Sequence, residues 1–259
     1  MKITIITVCF NSEKTIKDTL ESVLSQNYTN FNYIIKDGLS TDNTSKIIQE
    51  YIPMFKKRGI EVKYISSLDN GLYDAMNQAI AISDGDIIGI INSDDIIQDN
   101  NAFFKIVDRF NSDKCDAVYS DLYMMDYETM SNPIRVFIAG KKSYKTGWYP
   151  PHPTLYIKRN LYNKYGNYNT NYKIAADYDF MIRIMKNDIK MSYIEEPLIY
   201  MRAGGTSTNS LKSYIKSFNE GLRVLRVNNI KFPLIVNIFR TLNILKQRLM
   251  AIFKIKYNK

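Results

Sequence analysis

The sequence predicts an α/β fold with a mostly parallel central sheet. Three features predict it: strand-like and helix-like segments alternate, the strands are nearly continuous in apolar residues, and a polar loop follows each strand. Strands buried on both faces need helices on both sides, and the alternation supplies them. Residues 2–8 alternate and are rich in Ile, Thr and Val, as a first strand should be. In "NSEKTIKDTLESVLSQN", Ile16, Leu20, Val23 and Leu24 recur at helical spacing behind a Ser12 cap. "FNYIIKDG" then reads as a strand, "STDNTSKIIQEYIPMF" as a capped helix and "IEVKYI" as a third strand. "GLYDAMNQAIAIS" reads as a helix and "DIIGII" as a fourth strand. Further on, "YDFMIRIMKN" reads as a helix, and Arg202 ends a strand before the pair Gly204-Gly205.

Ligands of such sheets sit at the carboxyl ends of the strands. The loops "CFNS", "KDGLSTD", "SSLDNG" and "NSDD" all fall there. The last is the oddest, because an Ile-rich run ends in Asn92, Ser93, Asp94 and Asp95. Two adjacent carboxylates repel and resist desolvation unless positive charge sits beside them. An Asp pair after a strand is ordinarily a turn or a helix cap. Four polar loops converging on one edge favour instead a divalent cation bridging the carboxylates to a diphosphate. Oxygen ligands suit Mg²⁺ or Mn²⁺. Neither G-x-x-x-x-G-K-S/T nor G-x-G-x-x-G follows the first two strands, which excludes a P-loop and a dinucleotide fingerprint there.

Composition is that of an ordinary globular protein, 45% apolar and 24% charged over 259 residues. Cys9 and Cys115 lie far apart without metal-ligand spacing, so a reducing cytoplasm is the expected compartment. The N-terminus "MKITIITVCF" lacks a signal peptide's cleavage region, and no apolar segment is long enough to span a bilayer. The charge of +9 is uneven: from Arg202 onward there are 12 basic residues and a single acid, Glu220. The body is therefore close to neutral, and the tail points to an anionic surface. Within it, residues 233–255 open on a proline suited to a helix's first turn. Ile235, Ile238, Leu242, Leu245, Leu249 and Ile252 make a continuous apolar stripe, with Arg240, Gln247, Arg248 and Lys254 largely off it. That stripe packs on the body or on a second copy in a homodimer, or lies on anionic lipid.

The segments "ITVCFNSEKTIKDTLESVLSQNY", "IIKDGLSTDNT", "DNGLYDAMNQAIAISDGDIIGIINSDD", "YPPHPTLYIKRNLYNKYGNYN" and "AADYDFMIRI" together resemble a bacterial family 2 glycosyltransferase with the GT-A (Rossmann-like) fold. The likeness covers roughly residues 3–203 in family order and suggests a catalytic domain over 1–205 with a basic helical extension over 206–259. It is closest to the small enzymes that build O-antigen or capsule repeat units on a polyprenyl diphosphate carrier. The resemblance implies a UDP-sugar donor, a polyprenyl-diphosphate-linked saccharide acceptor and a place on the cytoplasmic face of the inner membrane, with no nucleic acid partner. It implies transfer of a hexose, glucose or galactose, with inversion to a β-linkage, β1,3 by analogy.

Residue by residue, the resemblance assigns Val8, Cys9, Phe10, Asn11 and Asp37 to the uridine. Asp37 reads equally well as an Asx-turn before Gly38. Gly71, Asp74 and Asn77 fall in the nucleotide-sugar stretch, where Asn77 could equally be an exposed helix residue. The usual D-x-D metal motif appears as Asn92-Ser93-Asp94, with Asp95 following. Asp94 is then the primary ligand, Asp95 the second, and Ser93 lies on the nucleotide side. Asp177 matches the base of inverting members, although Ala176 stands where Glu is common. The base must reach the acceptor hydroxyl, and a helix start favours its charge. Asp179 is a supporting or acceptor-side group, and either Asp could instead cap the helix. His152, the sole histidine, and Trp148 sit in a rigid aromatic loop expected on the acceptor or diphosphate side. Arg202 either contacts diphosphate or forms a salt bridge. The rival readings are a metal-dependent nucleotidyltransferase and a non-enzymatic module for anionic surfaces.

Overall fold

The computed structural model describes residues 1–204 and 211–257. The chain begins with β1 (Ile3–Cys9), α1 (Ile16–Leu24), β2 (Phe31–Asp37), α2 (Thr44–Lys57), β3 (Glu61–Ser66), α3 (Leu72–Ala81) and β4 (Ile87–Ile90). These four strands pair in parallel in the order β3-β2-β1-β4, with every residue of β1, β2 and β4 buried. The continuous apolar runs thus read as strands covered on both faces.

The next segments change the character of the sheet. After β5 (Asp95–Ile97) and α4 (Ala102–Asp113) come β6 (Ala117–Met125), β7 (Pro133–Phe137), β8 (Tyr156–Lys158), α5 (Asn160–Tyr165), α6 (Ala176–Met185) and β9 (Met191–Arg202). β8 joins β4 to β6 by antiparallel pairing on both sides, β9 runs parallel to β6, and β5 and β7 add antiparallel edges. Asp95 therefore opens a short strand opposite Met201, one residue before Arg202. That pairing pins the acidic turn against the end of β9.

α7 (Leu211–Val227) and α8 (Pro233–Tyr257) complete the described chain. Gly205 and the 205/206 boundary lie outside the described residues, as does the side chain of Lys254. The orientation of α8 reverses the usual amphipathic arrangement. Val236, Asn237, Arg240 and Ala251 are buried, where the helix meets β7 and α7. The stripe Ile235, Ile238, Leu242, Leu245, Leu249 and Ile252 is between 44% and 55% exposed and points away from the body. Close approach on the inner side needs two glycines. A Cβ on Gly221 would meet the Arg240 guanidinium at 2.4 Å, and one on Gly147 would meet the Val236 carbonyl at 2.4 Å. No helix among the described residues is long and apolar enough to cross a membrane.

Candidate active site

A cavity of about 1030 Å³ opens where the strands of the parallel half end. β1 delivers the first wall. Val8, Cys9, Phe10 and Asn11 all line it, and the Phe10 ring is 62% exposed. Asn11 takes a left-handed backbone (φ 49°), which Asn tolerates. Its amide N–H donates to Ser40 Oγ at 2.9 Å, and its Oδ1 accepts from the Thr41 N–H at 2.9 Å. Burial pushes the Cys9 thiol up to about 12, with the Asp37 charge adding, so that thiol is a packing group.

Asp37 is fully buried and does not line the cavity. One carboxylate oxygen accepts from the Ser40 N–H and hydroxyl, the other from Tyr64 and Ser66 at 3.1 Å each. It holds the loop that forms the cavity floor. Beside it lies Lys36, which sequence reasoning passed over. Its ammonium is fully buried and donates to Asp69 Oδ2 at 2.9 Å, Ser67 O at 2.7 Å and Asp37 O at 3.1 Å. Asp69 lines the cavity and also accepts from the Gly71 N–H. Removing one partner of such a pair strands the other charge. Asp69→Ala is expected to lower unfolding stability by about 3 kcal/mol, read as a shift in urea midpoint.

Gly71 precedes α3 at φ 104° and ψ −179°, a conformation open essentially to glycine alone. Asp74 turns back to accept from the Asn70 N–H at 2.9 Å, so it secures the helix start and does not face the cavity. Asn77 makes a reciprocal pair with the backbone of Tyr168, at 2.9 and 3.0 Å, and also lies off the cavity. From the same helix the single hydroxyl proton of Tyr73 is shared between Ile174 O at 2.8 Å and Asp177 Oδ1 at 3.2 Å. Burial, and then the Asp177 charge, raise the Tyr73 hydroxyl well above its ordinary pKa and keep it a donor.

Asp177 lines the cavity from the first turn of α6, where its Oδ1 also accepts from the Tyr178 N–H. Ala175 offers no side chain to cap this helix. Glu220 on α7 instead braces the turn just before the helix: its carboxylate accepts from the N–H groups of Lys173, Ile174 and Ala175 at 2.8–3.1 Å. The lone acid of the basic tail thus sets the turn that carries Asp177. Glu220→Gln retains the shape but weakens the charge-assisted bonds. Turnover is expected to fall about tenfold with the donor KM unchanged, the mark of misplacement without lost donor binding.

Asp179 is buried away from the cavity, paired with Arg183 at 2.9 Å and accepting from Asn228 at 3.0 Å. His152 lines the cavity, its Nε2 2.9 Å from the Tyr168 hydroxyl. Burial draws its pKa down, against the pull of the Asp177 charge, and the ring stays neutral at pH 7. Trp148 is buried with Nε1 donating to Ala139 O, and it lines a second, smaller cavity.

The far wall is the acidic turn. Asn92, Ser93, Asp94 and Asp95 all line the cavity, and Ser93 Oγ lies 2.9 Å from Ser12 Oγ. Asp95 is fully buried, with Oδ2 accepting from Asn92 Nδ2 at 2.8 Å. Its Oδ1, the Asn92 Oδ1 and the Arg202 Nε are buried without a hydrogen-bond partner among the described residues. Burial raises the pKa of both Asp94 and Asp95, the latter further through the Asp94 charge, and the Arg202 charge opposes both shifts. Arg202 itself reaches Asp18 at 2.5 Å and Tyr127 O at 2.7 Å. Unpartnered oxygens among carboxylates suit a hard cation. No three His, Cys, Asp or Glu side chains among the described residues form a site alone. A cation here would share its shell with substrate oxygens, as Mg²⁺ commonly does.

Comparisons with known proteins agree with this architecture. The PGL/p-HBAD biosynthesis glycosyltransferases of Mycobacterium bovis and Mycobacterium tuberculosis are 25% identical over 226 residues, covering 84% of this chain and 86% of theirs. An uncharacterized glycosyltransferase of Methanocaldococcus jannaschii is 29% identical over 73% of this chain and 66% of its own. Among solved structures, S. aureus TarS 1–349 in complex with UDP-GlcNAc superposes with a TM-score of 0.68 at 19% identity, over 88% of this chain and 65% of that one. The chain spans 40% of a longer TarS chain. The mannosyltransferase PcManGT of Pyrobaculum calidifontis, in complex with GDP-Man and Mn²⁺, also reaches 0.68, at 15% identity over 99% of this chain and 75% of that one. The fold is GT-A, and the glycosyl transferase family 2 model matches residues 4–188, so the chain belongs to that family.

Proposed function

We propose that this glycosyltransferase moves a hexose from a UDP-sugar to a saccharide on a polyprenyl diphosphate, with inversion to a β-linkage. The observation that carries the reading is the shared cavity: Asp177 enters it from α6, the Asn92–Asp95 turn from the end of β4, and Phe10 from the end of β1. The exposed Phe10 ring and the 8–11 backbone receive the uracil, on a floor that Asp37 holds in place. Asp177 takes the proton of the acceptor hydroxyl as that oxygen attacks the anomeric carbon opposite the leaving UDP. Tyr73 orients its carboxylate, and the α6 N-terminus favours its charged form. His152, kept neutral by burial, offers the acceptor a hydrogen-bonding edge.

Asp94 and Asp95 would hold Mn²⁺ or Mg²⁺, with the Asn92 Oδ1 within the same turn. The chemistry such an ion supplies when bound is neutralisation of charge on the departing diphosphate. Arg202, paired with Asp18 and with its Nε unpartnered among the described residues, adds a guanidinium donor on that side. The outward apolar stripe of α8 and the basic tail support a peripheral position on an anionic membrane, where a lipid-linked acceptor resides.

The test is a panel of UDP-glucose, UDP-galactose and other nucleotide sugars against a synthetic lipid-diphosphate saccharide. Release of UDP with a β-anomeric coupling in the product NMR is the expected result. Release of inorganic diphosphate would indicate nucleotidyl transfer, and an α-anomer would remove the inverting role of Asp177.

A further inference from the structure

The second cavity, about 230 Å³, lies between β7, the 138–149 segment and α8. It falls below the roughly 300–1,000 Å³ typical of small-molecule sites. Among the described residues four cations line it, Arg135, Lys142, Arg240 and Lys246, and no Asp or Glu does. Two of the four are buried, Arg135 at 9% and Arg240 at 5% exposure. Neither enters an ion pair among the described residues. Arg240 is partly compensated by Asn237 Oδ1 at 3.0 Å, Ser217 O at 2.7 Å and the Tyr178 ring. Arg135 has less: Nε donates to Gln247 Oε1 at 2.7 Å and the guanidinium lies over Phe137. A buried cation without a carboxylate is costly, and its remaining donors are left for an anion that arrives from outside.

We propose that this cleft binds the phosphate of an anionic lipid headgroup. The position of α8 selects that source. Lys246 lines the cleft and is flanked by the exposed Leu245 and Leu249, so a phosphate held there lies beside the apolar stripe. The inner face of α8 is already spent on β7 and α7, which leaves the stripe for a surface outside the body. A lipid supplies both halves at once, acyl chains for the stripe and a phosphate for the cations. Arg135 provides the planar fork that phosphate recognition favours over a point charge.

The experiment is flotation of the full chain with vesicles of phosphatidylcholine alone and of phosphatidylcholine mixed with phosphatidylglycerol. Wild type is expected to float with the mixture and not with the neutral vesicles. Lys142→Gln with Lys246→Gln is expected to weaken that binding at least about tenfold. Lys56→Gln with Lys57→Gln removes the same charge from exposed positions on α2 and is expected to leave it unchanged. Arg135→Lys, which keeps charge but loses the fork, is expected to weaken binding as well. Equal flotation of wild type and the cleft variant, an equal loss in the α2 control, or equal binding to neutral vesicles would overturn the proposal. So would a thermal shift with inorganic phosphate and no flotation, which assigns the cleft to free phosphate. Concentration-dependent dimerisation without flotation would give the stripe to a second copy. None of these readouts involves sugar transfer, so the result stands apart from the donor and acceptor proposed above.

Discussion

Asp177→Asn is expected to lower kcat by about 10³, near the middle of the 10²–10⁴ range for a positioned general base and equivalent to about 4 kcal/mol of barrier. UDP affinity should not change, because the side of the cavity proposed for the nucleotide is lined by other segments: the 8–11 wall, Asp69 and the acidic turn. The amide retains the bonds from Tyr73 and the Tyr178 N–H, since its Oδ1 can accept both. Folding should therefore be nearly untouched and the loss confined to chemistry. Single-turnover kinetics with isothermal titration of UDP checks both halves. Near-normal turnover with intact UDP binding would move the base elsewhere. Tyr73 is a poor alternative, as burial and the Asp177 charge both hold its proton on.

The parallel half of the fold was legible because its signal is local. Each of β1, β2 and β4 is an apolar run between polar loops, and each loop lies where the topology predicts. β5 to β8 were not resolved from sequence, because short antiparallel strands depend on distant partners: Asp95 pairs with Met201, and Gly89 with Tyr156. Side-chain roles divide in the same way. Val8 to Asn11, Gly71, Ser93 to Asp95, His152, Asp177 and Arg202 all meet in one cavity. Asp37, Asp74, Asn77, Trp148 and Asp179 lie outside it: the first three and Trp148 hold backbone groups, and Asp179 holds the side chains of Arg183 and Asn228. Residue type and spacing cannot separate those two uses, since a carboxylate that fixes a loop looks like one that binds a ligand. Two signals were visible and went unused. Lys36 is the one charge inside an apolar strand before Asp37, and Glu220 is the one acid among twelve basic residues. Periodicity likewise revealed the α8 stripe without its direction, because a stripe has no sign until the other face is seen to be buried around Arg240.

The second large effect is expected at Asp94. Asp94→Asn should reduce turnover by about 10²–10³, and chelation by EDTA should do the same to wild type until Mn²⁺ is restored. The two adjacent acids are not equivalent. Asp95 is fully buried, engages Asn92 through one oxygen and is locked into β5 opposite Met201. Asp94 precedes the strand, is only half-buried and, among the described residues, carries no such constraint from a neighbouring side chain. On the proposed reading it is the carboxylate that would hold the cation, which would supply charge neutralisation to the leaving diphosphate. In the variant, the Mn²⁺ concentration for half-maximal activity should rise at least about tenfold, while UDP binding without metal stays the same. That pairing of results separates a ligand from a structural residue, which would alter stability and leave the cation titration in place. If Asp94→Asn and EDTA both left turnover intact, charge on the leaving diphosphate would have to be met by protein alone. The Nε of Arg202, unpartnered among the described residues, is the group placed to meet it, and Arg202→Gln would then carry the loss.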